Sequence, residues 1–277
     1  MRSAPKPRST TCCRSGATLL VDVFGYFTLT NGDAFVPLQP ERLFDTRTGH
    51  GVAEGKLGHL QSAEIQVSGL AGVPSFGATA VVMNLTVTEP NAPGFLRLTP
   101  AGVAAADTSN VNFFANDTVP NLVICRLGVG GRLTLDSVGD AKHALGDVFG
   151  YFGGDGCKLV TLAPTRILDT RIGLGAPVAP IGLDVTLQLV VGGRAGVPDN
   201  AEAVALNVTA TNAAGASFVT VWPYGSDQPN TSNLNIVPGQ TVANLVICQL
   251  GAEASLSITS PPADCDVIAD VLGYFIA

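Results

Sequence analysis

Apolar and polar residues alternate over short stretches along most of the chain, and Gly, Pro, Asn or Asp bounds each stretch. A period of two is the pattern of a half-buried β-strand. No stretch carries a 3.6-residue apolar period long enough to predict a helix. The chain is therefore predicted to be all-β. Within residues 36–152 the predicted strands are 41–47, 63–69, 78–88, 94–99, 109–115, 120–127, 131–136 and 143–152.

The same pattern occurs twice. The decapeptide PERLFDTRTG at 40–49 aligns with PTRILDTRIG at 164–173, an offset of 124, and NLVIC at 121–125 aligns with NLVIC at 244–248, an offset of 123. Eight short strands in about 120 residues, separated by turn residues, are typical of a sandwich. We predict two tandem antiparallel β-sandwich repeats of jelly-roll-like type, at 36–152 and 160–277, joined by a linker at 153–159.

One hexapeptide occurs three times: DVFGYF at 22–27 and 147–152, and DVLGYF at 270–275. In the second and third copies it closes a repeat, with Val and Tyr on one strand face and the two other aromatic or apolar positions on the opposite face. The first copy follows a segment that resembles neither repeat. Residues 1–35 are therefore interpreted as the remnant of a preceding repeat, with a closing strand at 17–27, followed by a linker.

Charge narrows the range of partners. The formal net charge is −7 and the 15 Lys and Arg residues form no run, which argues against nucleic acid and anionic membranes. No apolar stretch approaches the length of a membrane span, and the N-terminal stretch shows no signal peptide pattern. The Gly-rich, Thr-rich and charge-poor composition is typical of secreted β-rich proteins.

The ordered motifs PxRLxDTRxG, GVP, NxTxT, TSNxN, NLVxCxLG and DVxGYF resemble a tandem repeat of secreted and surface proteins of actinobacteria and related bacteria, over residues 36–276. The resemblance implies an extracellular or cell-surface location and a β-rich accessory module. It supplies no catalytic residues and no cofactor. Its implied partners are cell-wall or other extracellular glycans, or neighbouring repeats of a longer array.

The Asp-Thr-Arg triplets are the first candidate sites. Asp45 and Arg47, like Asp169 and Arg171, lie two residues apart and are predicted to share a strand face. A charge-assisted pair that ties down a strand end is the favoured interpretation. The alternative is a carboxylate and a guanidinium presented to a sugar or peptide.

A second repeated set consists of Asn residues, which are depleted in ordinary strands. Buried amides must be hydrogen-bonded, so internal satisfaction of the backbone is the favoured interpretation. A polar cleft that binds glycan hydroxyls, or Ca²⁺ through amide oxygens, is the alternative. The candidates are Asn84, Asn110 and Asn112 in the first repeat and Asn207, Asn233 and Asn235 in the second, with Asn121 and Asn244 as a further pair.

Trp222 and Tyr224 are the candidate aromatic platform for a sugar ring, in the second repeat alone. Catalysis has little support, because His50, His59 and His143 have no counterparts in the second repeat and no GxSxG elbow or HExxH motif occurs. We predict no enzyme activity, no metal and no cofactor. The alternative is a hydrolase acting on polysaccharide through the repeated Asp residues, Asp45 and Asp147 with their counterparts Asp169 and Asp270.

The cysteines give one testable pairing. Cys125 and Cys248 are equivalent, whereas Cys265 aligns with Lys142. A Cys248–Cys265 disulfide is therefore predicted in the second repeat for an oxidising compartment. Taken together, the sequence predicts a non-catalytic extracellular structural or adhesive module that binds cell-wall components or glycans.

Overall fold

A computed structural model describes residues 21–28, 32–105 and 107–277. Sixteen strands occupy these residues, eight in repeat 1 (34–153) and eight in repeat 2 (158–276). In repeat 1 they are β1 Ala34–Asp45, β2 Gln61–Gln66, β3 Ala80–Thr88, β4 Gly94–Pro100, β5 Val111–Phe113, β6 Val119–Arg126, β7 Arg132–Val138 and β8 His143–Gly153. In repeat 2 they are β9 Lys158–Asp169, β10 Thr186–Val190, β11 Ala203–Thr211, β12 Ser217–Pro223, β13 Leu234–Ile236, β14 Val242–Gln249, β15 Ser255–Thr259 and β16 Asp266–Ile276.

Each repeat is a sandwich of two four-stranded antiparallel sheets. The strand orders are β1-β8-β3-β6 and β2-β7-β4-β5 in repeat 1, and β9-β16-β11-β14 and β10-β15-β12-β13 in repeat 2. This alternation of strands between two sheets is the eight-stranded jelly-roll arrangement. The prediction of two all-β sandwich repeats is confirmed. Within the described parts of the chain there is no helix long and apolar enough to cross a membrane.

Strand alternation explains the cores. In β3 the odd-numbered residues Val81, Met83, Leu85 and Val87 point between the sheets of repeat 1 and are buried there. The corresponding residues of β11 do the same in repeat 2. The even-numbered residues therefore line the outer face of the β1-β8-β3-β6 sheet. In an isolated sandwich such a face meets water.

Here the outer faces of the two repeats pack on each other. A third buried apolar cluster, which we call the junction core, consists of Phe35, Val82, Phe149, Cys157, Ala203, Ala205, Ile247 and Phe275. Phe35 links the two sides, because its ring centroid lies 4.5 Å from that of Phe275 and 5.4 Å from that of Phe152. Burial of this apolar surface holds the repeats together.

The closing hexapeptide has the predicted division of its faces. Val148 lies in the core of repeat 1 and Tyr151 packs against it, whereas Phe149 and Phe152 contact the junction core. The glycine of the motif is needed for close approach, since a Cβ on Gly150 would lie 2.4 Å from the Phe35 ring. A register shift beside it, opposite Val82 and Met83, is a β-bulge.

The first copy of the hexapeptide, at 22–27, does not form a strand. Residues 21–28 have no regular secondary structure, and residues 17–20 of the predicted strand lie outside the described residues. The closing strand predicted at 17–27 is therefore wrong for its described part, because no described strand pairs with it and a lone strand leaves its backbone groups unpaired. The segment still contacts repeat 1, with the Phe27 and Phe152 ring centroids 6.0 Å apart.

Candidate functional site

The Asp-Thr-Arg triplet terminates the first strand of each repeat. Asp45 is the last residue of β1 and is buried. Its carboxylate accepts hydrogen bonds from the Arg47 backbone N–H at 2.9 Å, from Arg47 Nε at 3.0 Å and from Arg47 Nη2 at 2.7 Å. Asp169 and Arg171 repeat this arrangement at 3.2, 2.9 and 2.7 Å. The favoured interpretation, a charge-assisted pair at a strand end, describes the geometry of both triplets. The predicted shared strand face is wrong, because β1 and β9 end at the aspartates and both arginines lie in the turn that follows.

These pairs keep the carboxylates ionised. Burial acts to raise the pKa of Asp45, but hydrogen bonds from Arg47 outweigh it and hold that pKa below its usual range. Hydrogen bonding from Arg171 lowers the pKa of Asp169 to about 2. A carboxylate that is bonded in this way is a poor general acid at neutral pH.

A second arginine, Arg42, joins Asp45 to Asp147 of the closing strand. It donates to Asp45 Oδ2 at 2.9 Å and forms a short hydrogen bond from Nε to Asp147 Oδ1. Its equivalent, Arg166, donates to Asp169 and to Asp270, the latter at 2.8 Å. Sequence reasoning did not select these arginines, although both stand at the same position of the repeated PxRLxDTR motif and could have been found there.

Asn110 and Asn233 secure backbone inside their own repeats. Asn110 Oδ1 accepts from the Leu98 N–H and Asn233 Oδ1 from the Val221 N–H, each at 2.7 Å in a buried setting. The neighbouring asparagines then bond to their main-chain carbonyls, since Asn121 Nδ2 donates to Asn110 O and Asn244 Nδ2 to Asn233 O. Asn112 and Asn235 bond locally, to the side chains of Ser109 and Ser232 respectively.

Asn84 belongs to the contact between the repeats. Its Nδ2 donates to Ser232 O at 2.6 Å, and its Oδ1 accepts from Asn244 Nδ2 at 2.9 Å. Arg42 Nη2 donates to Asn230 O at 3.1 Å, Gln39 Nε2 to Asp227 O at 3.1 Å, and the Leu122 N–H to Asn244 Oδ1 at 3.1 Å. Polar groups of β1, β3 and β8 thus hold the 227–233 loop of repeat 2 on the outer face of repeat 1.

Burial at this contact changes the electrostatics of Asp147. Burial raises its pKa to about 6, although Arg42 and a backbone hydrogen bond from Ser232 both act to lower it. Asn207, the equivalent of Asn84, is half-buried, and its side chain makes no hydrogen bond to any described residue. The structure therefore brings Arg42, Asn84 and Asp147 together with repeat 2, while Arg166, Asn207 and Asp270 form an open copy.

The prediction that Trp222 and Tyr224 form an aromatic platform for a sugar ring is wrong. Trp222 is 3% exposed, and its indole N–H donates to Ser226 O at 3.1 Å. The chain after β12 folds back on this side chain, so its ring cannot stack on a sugar. Tyr224 is half-buried in the turn that follows.

The predicted Cys248–Cys265 disulfide is also wrong, because both thiols are free and buried. Cys248 lies opposite Val204 at one end of β11, whereas Cys265 precedes Asp266, which lies opposite Thr211 at the other end. Seven residues of strand separate these ends by roughly 20 Å, and a disulfide requires Cα atoms within about 7 Å. Burial raises the pKa of both thiols.

The described residues give little support for a metal site or a catalytic site. No group of three or more His, Cys, Asp or Glu side chains there could hold a metal ion. His143 bonds to Thr46, His50 to the Arg42 carbonyl and His59 to the Gly139 N–H, each in a different place. The four repeated carboxylates are each hydrogen-bonded to an arginine.

Comparisons with known proteins add little. No protein-family model matches the chain, and no curated protein matches it. Among solved structures, it is similar to the CBM22-1–CBM22-2 tandem domain of Paenibacillus barcinonensis Xyn10C, with 11% identity and a TM-score of 0.25 over 87% of this chain and 99% of that one. It is also similar to the major capsid protein P2 of bacteriophage PM2, with 11% identity and a TM-score of 0.22 over 85% and 97%.

Proposed function

We propose that the chain is a non-catalytic structural module of an extracellular or cell-surface protein, in which two β-sandwich repeats are coupled into one rigid unit. The contact between the repeats carries this proposal. It combines the buried junction core with hydrogen bonds from Gln39, Arg42 and Asn84 to main-chain carbonyls of the 227–233 loop. Domains joined by a buried apolar interface move little relative to each other.

The use of the repeated polar residues supports the same function. Asp45, Asp169, Asn110 and Asn233 are buried and bonded within their repeats. Asn84 and Asp147 are buried between the repeats. These groups stabilise the architecture, which is what a spacer or adhesive segment requires.

Two measurements test this function. Small-angle X-ray scattering should show one compact particle whose profile matches the two-repeat arrangement, and Ala205→Glu, which places a charge in the junction core, should produce a broader distribution of sizes. Screening against polysaccharides should show no turnover. Turnover that is lost in Asp169→Asn or Asp270→Asn would contradict the proposal and favour the hydrolase alternative.

Adhesion through glycan binding is a more specific form of the proposed function. Burial of Trp222 removes the aromatic stacking surface that a sugar site commonly uses, and the amide groups of Asn110 and Asn233 are already bonded. A glycan array decides it: retention of the purified protein would establish binding, and absence of retention would restrict the role to a structural one.

A further inference from the structure

We propose that the part of the outer face of repeat 2 around Arg166, Asn207 and Asp270, which lies beyond the junction core, docks the Thr-Ser-Asn loop of repeat 1 from a second copy of this chain. We call this face the open face and the loop at 107–110 the docking loop. The proposal rests on the proposed structural function and names the partner through which such modules would join head to tail.

The contact between the two repeats is the template. The 227–233 loop, which carries Thr231-Ser232-Asn233, lies on Arg42, Asn84 and Asp147. The Arg42 and Asn84 side chains both donate to main-chain oxygens of this loop, at 3.1 and 2.6 Å, and the Ser232 backbone is hydrogen-bonded to Asp147. Recognition therefore depends on the loop's backbone shape.

The open face has the same construction. Asn207 lies directly opposite Asp270 across β11 and β16, and Asp270 lies opposite Arg166 across β16 and β9. In repeat 1, Asn84 lies opposite Asp147, and Asp147 opposite Arg42, in the same register. Arg166 Nε already donates to Asp270 at 2.8 Å, so the donor group is held as in the occupied copy.

The two copies differ in what covers them. The exposed fraction of the arginine side chain is 44% for Arg166 and 18% for Arg42, and that of the aspartate is 24% for Asp270 and 1% for Asp147. The flanking residues follow the same trend, since Pro164 is exposed whereas its equivalent Pro40 is buried. Repeat 2 covers one copy, and nothing among the described residues covers the other to that extent.

The docking loop has the shape of its counterpart in repeat 2. Asn110 Oδ1 accepts from the Leu98 N–H as Asn233 Oδ1 accepts from the Val221 N–H. The next asparagine bonds to the serine of the loop in both repeats, although Asn112 Nδ2 donates to Ser109 Oγ whereas Asn235 Oδ1 accepts from Ser232 Oγ. Asp107 is exposed, and Thr108 and Ser109 are half-buried. Each chain therefore carries an open face on repeat 2 and a matching loop on repeat 1.

The segment at 22–27 marks where a docked closing strand would lie. A groove of about 1000 Å³ is lined by this segment, by the outer face of repeat 1 and by the adjoining edge of repeat 2, and both Asp22 and Ser109 belong to its lining. In the contact between the repeats, Asp147, the equivalent of Asp22, accepts a hydrogen bond from the backbone of Ser232, the equivalent of Ser109. The DVFGYF segment occupies this place in the single chain, and β16 of a second copy, DVLGYF, would displace it and take the same groove.

The docking should be weaker than the contact within the chain. Gln39 donates to Asp227 O in the template, but its equivalent in repeat 2 is Ala163, which has no donor. Head-to-tail contacts of this kind use two different surfaces and generate open chains rather than closed dimers.

Sedimentation equilibrium of the full chain over a wide concentration range tests the docking. The wild-type protein should associate reversibly, and Arg166→Glu should weaken association by about tenfold or more, the effect of losing a charge-assisted hydrogen bond. Arg132→Glu is the matched control, because this half-buried arginine of β7 pairs with Glu64 of β2, belongs to neither the open face nor the docking loop, and should leave association unchanged.

A mixing experiment tests the polarity. Arg166→Glu removes the open face and keeps the docking loop, whereas Ser109→Trp blocks the loop and keeps the open face. Each variant alone should remain monomeric, and an equimolar mixture should form a one-to-one complex. A wild-type protein that stays monomeric at all concentrations, or association that survives Arg166→Glu, would overturn the docking. Scattering and turnover of the monomer report on the structural function separately.

Discussion

Arg42, Asn84 and Asp147 in repeat 1 have the same identities and the same register as Arg166, Asn207 and Asp270 in repeat 2, yet their environments differ. The first set is covered by the 227–233 loop, and Asn84 is 1% exposed; the second set is half-buried or exposed. One motif can therefore be buried or exposed, depending on whether a neighbouring repeat lies on it. Matched substitutions at the two sites can therefore separate the contribution of the contact from that of the sandwich.

The largest expected effect comes from Asn84→Leu compared with Asn207→Leu. Loss of the Asn84 amide leaves the half-buried Ser232 O without its partner, at about 2 kcal/mol, and removes one of the two hydrogen bonds of Asn244 Nδ2, at about 1 kcal/mol. We expect Asn84→Leu to lower the free energy of unfolding by about 3 kcal/mol and Asn207→Leu by less than about 0.5 kcal/mol. Urea unfolding measures both. Equal losses would show that the contact contributes nothing specific.

This difference could not be predicted from the sequence. Strand positions could, because alternation reports directly on burial: all eight strands predicted in repeat 1 occur, although β1 begins at Ala34 rather than 41. Alignment of the repeats identified the asparagines but treats Asn84 and Asn207 as equals. It carries no information about which repeat lies on which face.

The prediction of a Cys248–Cys265 disulfide is also wrong because the sequence does not show the spatial arrangement of the strands. Cys248 and Cys265 lie on strand regions that are consecutive but for β15, yet the jelly roll places β11 between β14 and β16 and puts the two thiols toward opposite ends of the sheet. Neighbours in sequence are not neighbours in such a sheet. The prediction of a sugar platform at Trp222 is wrong because the turn after β12 buries the ring, and the path of a turn is weakly determined by residue type.

A smaller effect is expected in the pH dependence of stability. Asp147 ionises near pH 6 in the folded protein because it is buried, whereas an unfolded Asp ionises near pH 4. Between these values the folded state binds more protons, so stability falls as pH rises from about 4 to about 6. We expect this residue to account for about 2 kcal/mol of that fall, below the roughly 3 kcal/mol that two pKa units represent.

Asp147→Asn should remove that contribution and flatten the profile over this range, as measured by urea unfolding at a series of pH values. Asp270→Asn changes the open copy and controls for the loss of a carboxylate. Equal flattening in both variants would contradict a specific effect of burial. Below pH 4 the sign reverses, because the lowered pKa values of Asp45 and Asp169 make stability fall as these groups are protonated.

The smallest expected effects concern Asn110 and Asn233, whose side chains bond only within their own repeats. Substitutions at these two positions should therefore have equal effects in repeat 1 and repeat 2. Asn110→Ala and Asn233→Ala each leave one buried backbone N–H unpaired, that of Leu98 or of Val221, after loss of a 2.7 Å hydrogen bond. Because this bond is the same in both repeats, we expect equal losses of about 1.5 kcal/mol. Amide hydrogen exchange at Leu98 and Val221 should rise by similar factors. Unequal losses would mean that the contact between the repeats also stabilises this turn, and the inequality between Asn84 and Asn207 could then no longer be assigned to the amide alone.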